Sequence, residues 1–101
     1  MYLIQVVCKN SAEAKNISSR LIKEHLAACV NFWPIESIYH WQGKVARDKE
    51  IVLLIKTRKK HYGAIEKLIK QIHSYKMPAI FGWPATAVEE RYWVWLKKAV
   101  E

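Results

Sequence analysis

ACVNFWPIESIYHW (Ala28–Trp41) and KVARDKEIVLLIKT (Lys44–Thr57) are two strand-like stretches separated by Gln42-Gly43. Both stretches are rich in β-branched and aromatic residues, and the glycine permits the positive φ that a tight two-residue turn needs. The sequence therefore predicts one long β-hairpin over residues 28–57. The rest of the chain can be placed around it.

The length of this hairpin indicates contact with another chain. Each arm holds about 14 residues, which would span roughly 46 Å at about 3.3 Å per residue. A compact domain of this size is only about 35 Å across. A two-residue turn places Glu36 opposite Lys49, and the far half of the hairpin carries Ile38, Tyr39 and Trp41. We expect another chain to cover these three side chains.

The remaining segments predict two more strands and three helices. Ile65, Leu68 and Ile69 have the i, i+3, i+4 spacing of an amphipathic helix, and Thr86 with Glu89 resembles a capping box. The expected elements are a strand over 2–9, a helix capped by Asn10 and ending near Leu26, the hairpin, a helix over 59–73, a strand over 79–83 and a final helix after Thr86. This is the β-α-β-β-α-β order of a ferredoxin-like α+β fold plus a C-terminal helix, in one domain covering residues 1–101.

Two details of the hairpin follow from residue type and alternation. Pro34 cannot donate a backbone hydrogen bond, so we expect a bulge or a sheet edge there, with the in/out alternation shifted by one residue beyond it. Before that point, Val30 and Phe32 should face the helices, which places Cys29 on the opposite face.

Composition excludes several classes of protein. No run reaches the roughly 18 apolar residues of a membrane span, and the chain starts directly with the strand-like YLIQVVC, so we expect a cytoplasmic protein without a membrane partner. The net charge of +8 invites a nucleic-acid hypothesis, but Lys and Arg are spread over every segment. In addition, EIVLLIKT (Glu50–Thr57) lacks the aromatic residues and glycine of RNA-recognition modules. We expect no nucleic-acid partner.

The sequence holds few groups suited to catalysis but several suited to metal binding. It has no glycine-rich phosphate loop, no GxSxG, no HExxH and no CxxC, so we expect a non-enzymatic protein. Thiol and imidazole ligands suit soft or borderline metal ions. The candidates are Cys8, Cys29, His25, His40, His61 and His73. They lack ligand spacing within one element. By itself, Cys29 is more simply a small packed side chain, and His73 is more simply a polar residue that hydrogen-bonds the last carbonyls of its helix.

Several blocks of sequence resemble the CutA divalent-cation-tolerance family. The blocks are LAACVN (Leu26–Asn31), Ser37, Tyr39, Trp41, Gly43, Lys44, Glu50, Lys56-Thr57, His73, Tyr75, Pro78, Ile80, Tyr92, Trp95 and Leu96. The resemblance implies a ferredoxin-like subunit of a tight homotrimer, similar in architecture to the PII signalling proteins. It also implies a role in tolerance of copper or another divalent cation. Trp33, Ile38, Tyr39, Trp41 and Trp95 would then lie at the trimer interface.

One departure from the family pattern bears on metal binding. The usual HPYE/D-x-P reads His73-Ser74-Tyr75-Lys76-Met77-Pro78 here, so Lys76 replaces an acidic residue and would repel a cation. Within the family resemblance, Cys29 and then His73 are the metal-ligand candidates. The metal would not be required for folding.

A second hypothesis also predicts a trimer, but with a ligand other than a metal ion. In it, the protein is a signalling or scaffold trimer whose inter-subunit clefts bind a small anionic ligand or an unknown partner protein. Lys44, Lys56 and Lys76 would supply positive charge, with Tyr75 in the cleft. The net charge of +8 and the lysine at position 76 favour this hypothesis.

Overall fold

Four antiparallel strands in the order β2-β3-β1-β4 form the sheet of this protein, and the computed structural model describes all residues, 1–101. The elements are β1 (Tyr2–Cys8), α1 (Ser11–Lys23), β2 (Cys29–Trp41), β3 (Lys44–Thr57), a 3-10 turn (Lys59–His61), α2 (Tyr62–Ile72), β4 (Ile80–Pro84) and α3 (Glu90–Ala99). The predicted ferredoxin-like α+β fold with a long β2–β3 hairpin and an additional C-terminal helix is confirmed.

The hairpin has the predicted turn and register. Gln42 and Gly43 have φ angles of +50° and +77°, and a type I′ turn requires positive φ at both of these central positions. Glu36 lies opposite Lys49, and the pairing continues without interruption from the turn to the base of the hairpin. The molecule measures 46 × 26 × 21 Å, so its long axis matches the expected length of the hairpin.

Pro34 lies in the edge strand of the sheet and not at a bulge. β2 pairs only with β3, so the missing N–H of Pro34 can point away from the ladder. Pro34 stands directly opposite Ile51 within a continuous register. The expected shift of alternation beyond Pro34 was therefore wrong, and Trp33, Tyr39 and Trp41 share one face of the hairpin.

One face of the sheet, the helix-side face, carries the core. Ile4, Val6 and Cys8 of β1 and Leu53 and Ile55 of β3 are fully buried there. The covering helices contribute Ala14, Ile17, Leu21, Ile65, Leu68 and Ile69. Ile22 of α1 is 43% exposed, so the buried stripe of this helix is narrower than its apolar residues suggest.

The opposite face of the sheet, here called the outer face, stays partly apolar and exposed. It carries Trp33 of β2 and Phe81 and Trp83 of β4, and the last two rings stack with centroids 5.9 Å apart. All three side chains are more than one-third exposed. Helix α3 adds buried Leu96 and places Tyr92 beside Lys56, whose Nζ lies 5.8 Å from the ring centroid.

The sequence predicted the N-terminus of α1 correctly but not that of α3. Asn10 caps α1, and its Oδ1 accepts a hydrogen bond from the backbone N–H of Glu13 at 2.9 Å. The capping box at Thr86 was wrong, because α3 begins later and Glu89 is its N-cap, accepting from the backbone N–H of Arg91. None of the helices has the length and apolar composition that a membrane crossing requires.

Candidate metal centre

Three potential ligand groups meet at the edge of the sheet where β1 ends. Cys8 is the last residue of β1, Glu13 lies in the first turn of α1, and His73 follows the end of α2. The thiol sulfur, a carboxylate oxygen and an imidazole nitrogen all lie within 4.8 Å of one another. A cluster of this composition can bind a borderline or soft transition metal ion.

Cys8 enters this cluster as a protonated thiol. The residue is fully buried. Burial, with further contributions from the negative charges of Glu13 and Glu50, raises the pKa of Cys8 to about 12. Because thiolate is the form that binds metal, an ion that occupies the cluster must displace the thiol proton.

His73 uses both ring nitrogens within the protein. Nε2 lies 2.8 Å from the carbonyl oxygen of Val7, and a carbonyl only accepts, so Nε2 carries the proton. The lone pair on Nδ1 accepts a hydrogen bond from the backbone N–H of Tyr75 at 3.0 Å. To bind a metal through Nδ1, His73 must give up the hydrogen bond from Tyr75 and can keep the bond to Val7. Binding through Nε2 would cost both bonds, because the ring proton would move to Nδ1.

Glu13 links the start of α1 to the segment that follows His73. Its Oε1 accepts from the backbone N–H of Lys9 at 3.1 Å, and its Oε2 accepts from the backbone N–H of Ser74 at 2.8 Å. Burial alone would raise the pKa of Glu13, but the hydrogen bonds from Ser74 and Lys9 outweigh it and leave the pKa below its usual value. At neutral pH Glu13 is therefore an anion beside the thiol and the imidazole.

Tyr75 extends this network toward the hairpin. Its hydroxyl donates to Oε2 of Glu50 at 2.7 Å, and Glu50 is only 7% exposed. Burial and the bond to Glu50 raise the pKa of Tyr75, so the hydroxyl keeps its proton and remains a donor. Tyr75, which was predicted as a cleft residue, thus lies directly beside His73, with ring centroids 4.9 Å apart.

Cys29 lies at the other end of the sheet. It is opposite Lys56, which is opposite Leu3, five residues before Cys8 along β1. That offset corresponds to roughly 16 Å along the strand. A single chain therefore does not bring Cys29 and His73 together, and a role for Cys29 as a ligand stays a prediction.

The three lysines that were considered for an anionic ligand are also separated. Lys44 follows the hairpin turn, and Lys56 lies near the other end of the same strand, roughly 40 Å away. Lys76 lies in the segment between α2 and β4. In one chain these three side chains do not converge on a common site.

The five predicted interface residues are all exposed in the single chain. Trp33, Ile38, Tyr39, Trp41 and Trp95 are between 38% and 69% exposed. By strand alternation, Ile38 lies on the face of the hairpin opposite to Trp33, Tyr39 and Trp41. A partner that covers all of them would have to contact both faces of the hairpin.

The site contains two residues that sequence reasoning did not select. Cys8 was one of six thiol or imidazole candidates, and Glu13 was not among them. The predicted topology could have indicated that these residues lie close together. In a β-α-β-β-α-β fold, the end of β1, the start of α1 and the end of α2 all lie at one edge of the sheet. Cys8, Glu13 and His73 occupy these three places.

Fold and site together define a ferredoxin-like α+β protein with a sulfur, nitrogen and oxygen cluster at one end of its sheet. Comparison with protein families then identifies the group. The model of the CutA1 divalent ion tolerance protein family matches residues 2–99, and the chain belongs to this family.

Known relatives from distant organisms share the fold. A solved structure described as the periplasmic divalent cation tolerance protein CutA from Archaeoglobus fulgidus superposes with a TM-score of 0.98, at 32% identity over all of both chains. CutA1 from Oryza sativa gives a TM-score of 0.96 at 37% identity, covering 99% of this chain and 93% of the other. The chloroplastic Protein CutA of Arabidopsis thaliana is 36% identical over 96% of this chain. The chain spans about half the length of that plant relative, 54%.

Proposed function

We propose that this protein is a non-enzymatic, homotrimeric divalent-cation-tolerance protein of the cytosol that binds copper. The observation that carries the metal-binding proposal is the cluster of Cys8, Glu13 and His73, whose ligand atoms lie within 4.8 Å of one another. Thiolate with imidazole favours copper among the divalent and monovalent metals of the cell. The description of the family as divalent ion tolerance proteins supports the same role.

The chain's own hydrogen bonds indicate how the site would respond to an ion. Cys8 would lose its proton, and His73 would release the N–H of Tyr75 to free Nδ1 while Nε2 keeps its bond to Val7. Without metal, both ring nitrogens of His73 and both carboxylate oxygens of Glu13 already have protein partners. The metal is therefore not expected to be needed for folding.

Assembly into a trimer is supported by the exposed apolar surface. Trp33, Tyr39, Trp41, Phe81 and Trp83 lie on one face of the sheet and hairpin without a helix covering them. Water contact with so many aromatic side chains is unfavourable, and contact with neighbouring copies of the chain would remove it. A cytosolic location is supported by two cysteines that are both unpaired.

The metal-binding proposal is tested by copper titration of reduced protein against a competing chromophoric chelator. We expect the wild type to take up copper and to release protons as it does so, since the Cys8 thiol is protonated beforehand. Cys8→Ala should weaken binding by more than the roughly 100-fold that loss of an outer-shell partner can cost.

Cys29→Ala is the matched control, because it removes the other thiol from a different part of the sheet. If Cys8 and not Cys29 supplies the thiolate, Cys29→Ala should bind copper as the wild type does. Loss of copper binding in Cys29→Ala but not in Cys8→Ala would show that Cys29, and not Cys8, is the copper ligand. Absence of copper uptake by the reduced wild type would reject copper binding.

A further inference from the structure

We infer that Glu13 is a positioning residue of the proposed metal centre, which holds the His73–Tyr75 segment in place over the Cys8 thiol. The inference rests on the proposed function, since it assigns a role within the same site. It goes beyond that function because it names the residue that controls the geometry of the site.

The hydrogen bonds of Glu13 differ from those of an ordinary capping residue. In a capping box, the glutamate at the third helical position reaches back to the backbone N–H of the N-cap residue. Glu13 occupies that position in α1, but it bonds the N–H of Lys9 instead, one residue earlier, and the N–H of Ser74, 61 residues away in sequence. One carboxylate oxygen therefore accepts a hydrogen bond from the residues before the helix, and the other accepts one from the distant segment at Ser74.

The bond to Ser74 fixes the backbone between two groups that hold the imidazole. His73 immediately precedes Ser74 and donates from Nε2 to Val7. Tyr75 immediately follows Ser74 and donates its N–H to Nδ1 of His73. As long as Glu13 retains Ser74, the backbone that carries the imidazole stays fixed, and the ring stays beside Cys8.

Freeing Nδ1 for a metal requires the N–H of Tyr75 to turn away from the ring. The charge-assisted bond from Ser74 to Glu13 does not have to break for this, because the Ser74 N–H belongs to the preceding peptide group. Glu13 can therefore keep His73 beside Cys8 while the nitrogen is freed. Loss of an outer-shell partner of this kind typically costs 10- to 100-fold in metal affinity, since the ligand is then no longer pre-oriented. Glu13 should thus stabilise the arrangement in which His73 and Cys8 are adjacent.

The first test uses metal-free protein and measures amide hydrogen exchange by NMR at Ser74 and Tyr75. In Glu13→Ala, exchange at both amides should accelerate by at least about tenfold relative to a core amide such as that of Ile4, because the charged acceptor is gone. Glu13→Gln should recover part of the protection, since its amide oxygen still accepts a hydrogen bond. Reference to the core amide separates this local effect from any general loss of stability.

Glu24→Gln is the matched control. It removes a carboxylate from the same helix, where Glu24 pairs with the exposed Arg20 at 3.1 Å. Exchange at Ser74 should be unchanged in this variant. Wild-type exchange at Ser74 and Tyr75 in Glu13→Ala would overturn the inference, because a residue that only caps α1 leaves the distant segment as it was.

The second test is copper titration of the same variants. Glu13→Ala should bind roughly 10- to 100-fold more weakly than the wild type, with Glu13→Gln between the two. Equal affinity in Glu13→Ala and the wild type would overturn the inference but leave the proposed function intact. Absence of copper uptake by the wild type would instead reject copper binding, and with it the metal-related role of Glu13.

Discussion

Gly82 shows that a single residue can be required for steric reasons alone. It lies opposite Ile4 where β4 pairs with β1. A Cβ at this position would lie 2.6 Å from Cε2 of Tyr2 and 2.8 Å from the carbonyl oxygen of Leu3. Because one of these neighbours is backbone, Gly82→Ala should lower the free energy of unfolding by about 1–3 kcal/mol. Urea denaturation at fixed protein concentration measures this difference.

Gly63→Ala provides the opposite expectation in the same experiment. Gly63 lies near the start of α2, and a Cβ there meets nothing within 4 Å. Alanine is a better helix former than glycine, so this substitution should raise the free energy of unfolding by about 0.5–1 kcal/mol. Equal stability of Gly82→Ala and the wild type would contradict the close approach of the two strands.

Tyr62 makes a testable contribution to alkaline stability. Burial, followed by the hydrogen bond from its hydroxyl to Glu66 at 2.9 Å, raises the pKa of Tyr62 above 10.0. The unfolded chain then releases this proton at a lower pH than the folded one. The stabilising contribution is present below the unfolded pKa, near 10, and is lost as pH rises through the folded value. The advantage of wild type over Tyr62→Phe should therefore shrink between about pH 9 and 11 in urea denaturation. A constant difference would exclude the effect.

At the scale of elements, α1 depends on its N-terminal cap. Asn10 accepts from the Glu13 N–H, and Asn10→Ala should lower stability by about 1 kcal/mol. Asn16→Ala is the control, since Asn16 is exposed within the same helix, where alanine is favoured by a few tenths of a kcal/mol. Thermal unfolding of both variants distinguishes a specific cap from a general effect of losing asparagine. A similar melting temperature in the two variants would argue against the cap.

The elements that sequence predicted well are those fixed by neighbouring residues. The hairpin register followed from Gly43 and from strand-like residues on both sides, because a two-residue turn leaves only one pairing. The start of α3 was mispredicted because Thr86 and Glu89 match a capping box, yet Glu89 itself serves as the cap. A residue without a backbone N–H can lie at a bulge or in an edge strand. Because β2 is an edge strand, Pro34 needs no bulge.

At the scale of the whole molecule, the candidate site depends on contacts between residues distant in sequence. Cys8, Glu13 and His73 do not show ligand spacing along the chain, and only the antiparallel topology brings the end of β1 and the end of α2 to one edge. The bond between Glu13 and Ser74 likewise has no local signature. Prediction from sequence therefore succeeded for the fold, but of this cluster it retained only His73 as a preferred ligand; Cys8 was one of six candidates and Glu13 was not among them.

The far half of the hairpin extends beyond the rest of the sheet. β1 pairs with β3 only from Ile51 to Thr57, so Lys44–Glu50 is paired with β2 alone. A two-stranded ribbon is marginally stable in water without further packing. Its exposed Ile38 and Trp41 would supply that packing if they contacted neighbouring chains. The proposed trimer would thus stabilise the subunit's own hairpin as well as cover its apolar surface.

The assembly is tested by light scattering at micromolar concentration. The wild type should show a single species of three times the 11.9 kDa chain mass. The double substitution Ile38→Lys with Trp41→Ser should shift the mass toward the single chain. It puts a charged side chain on one face of the hairpin and a polar one on the other, and the trimer would bury both faces.

Ile22→Ser is the matched control, since Ile22 is an exposed apolar residue of α1 outside the predicted interface. It should leave the mass unchanged. A wild type that remains a single chain would mean that the hairpin is stable without neighbours, and would reject the trimer.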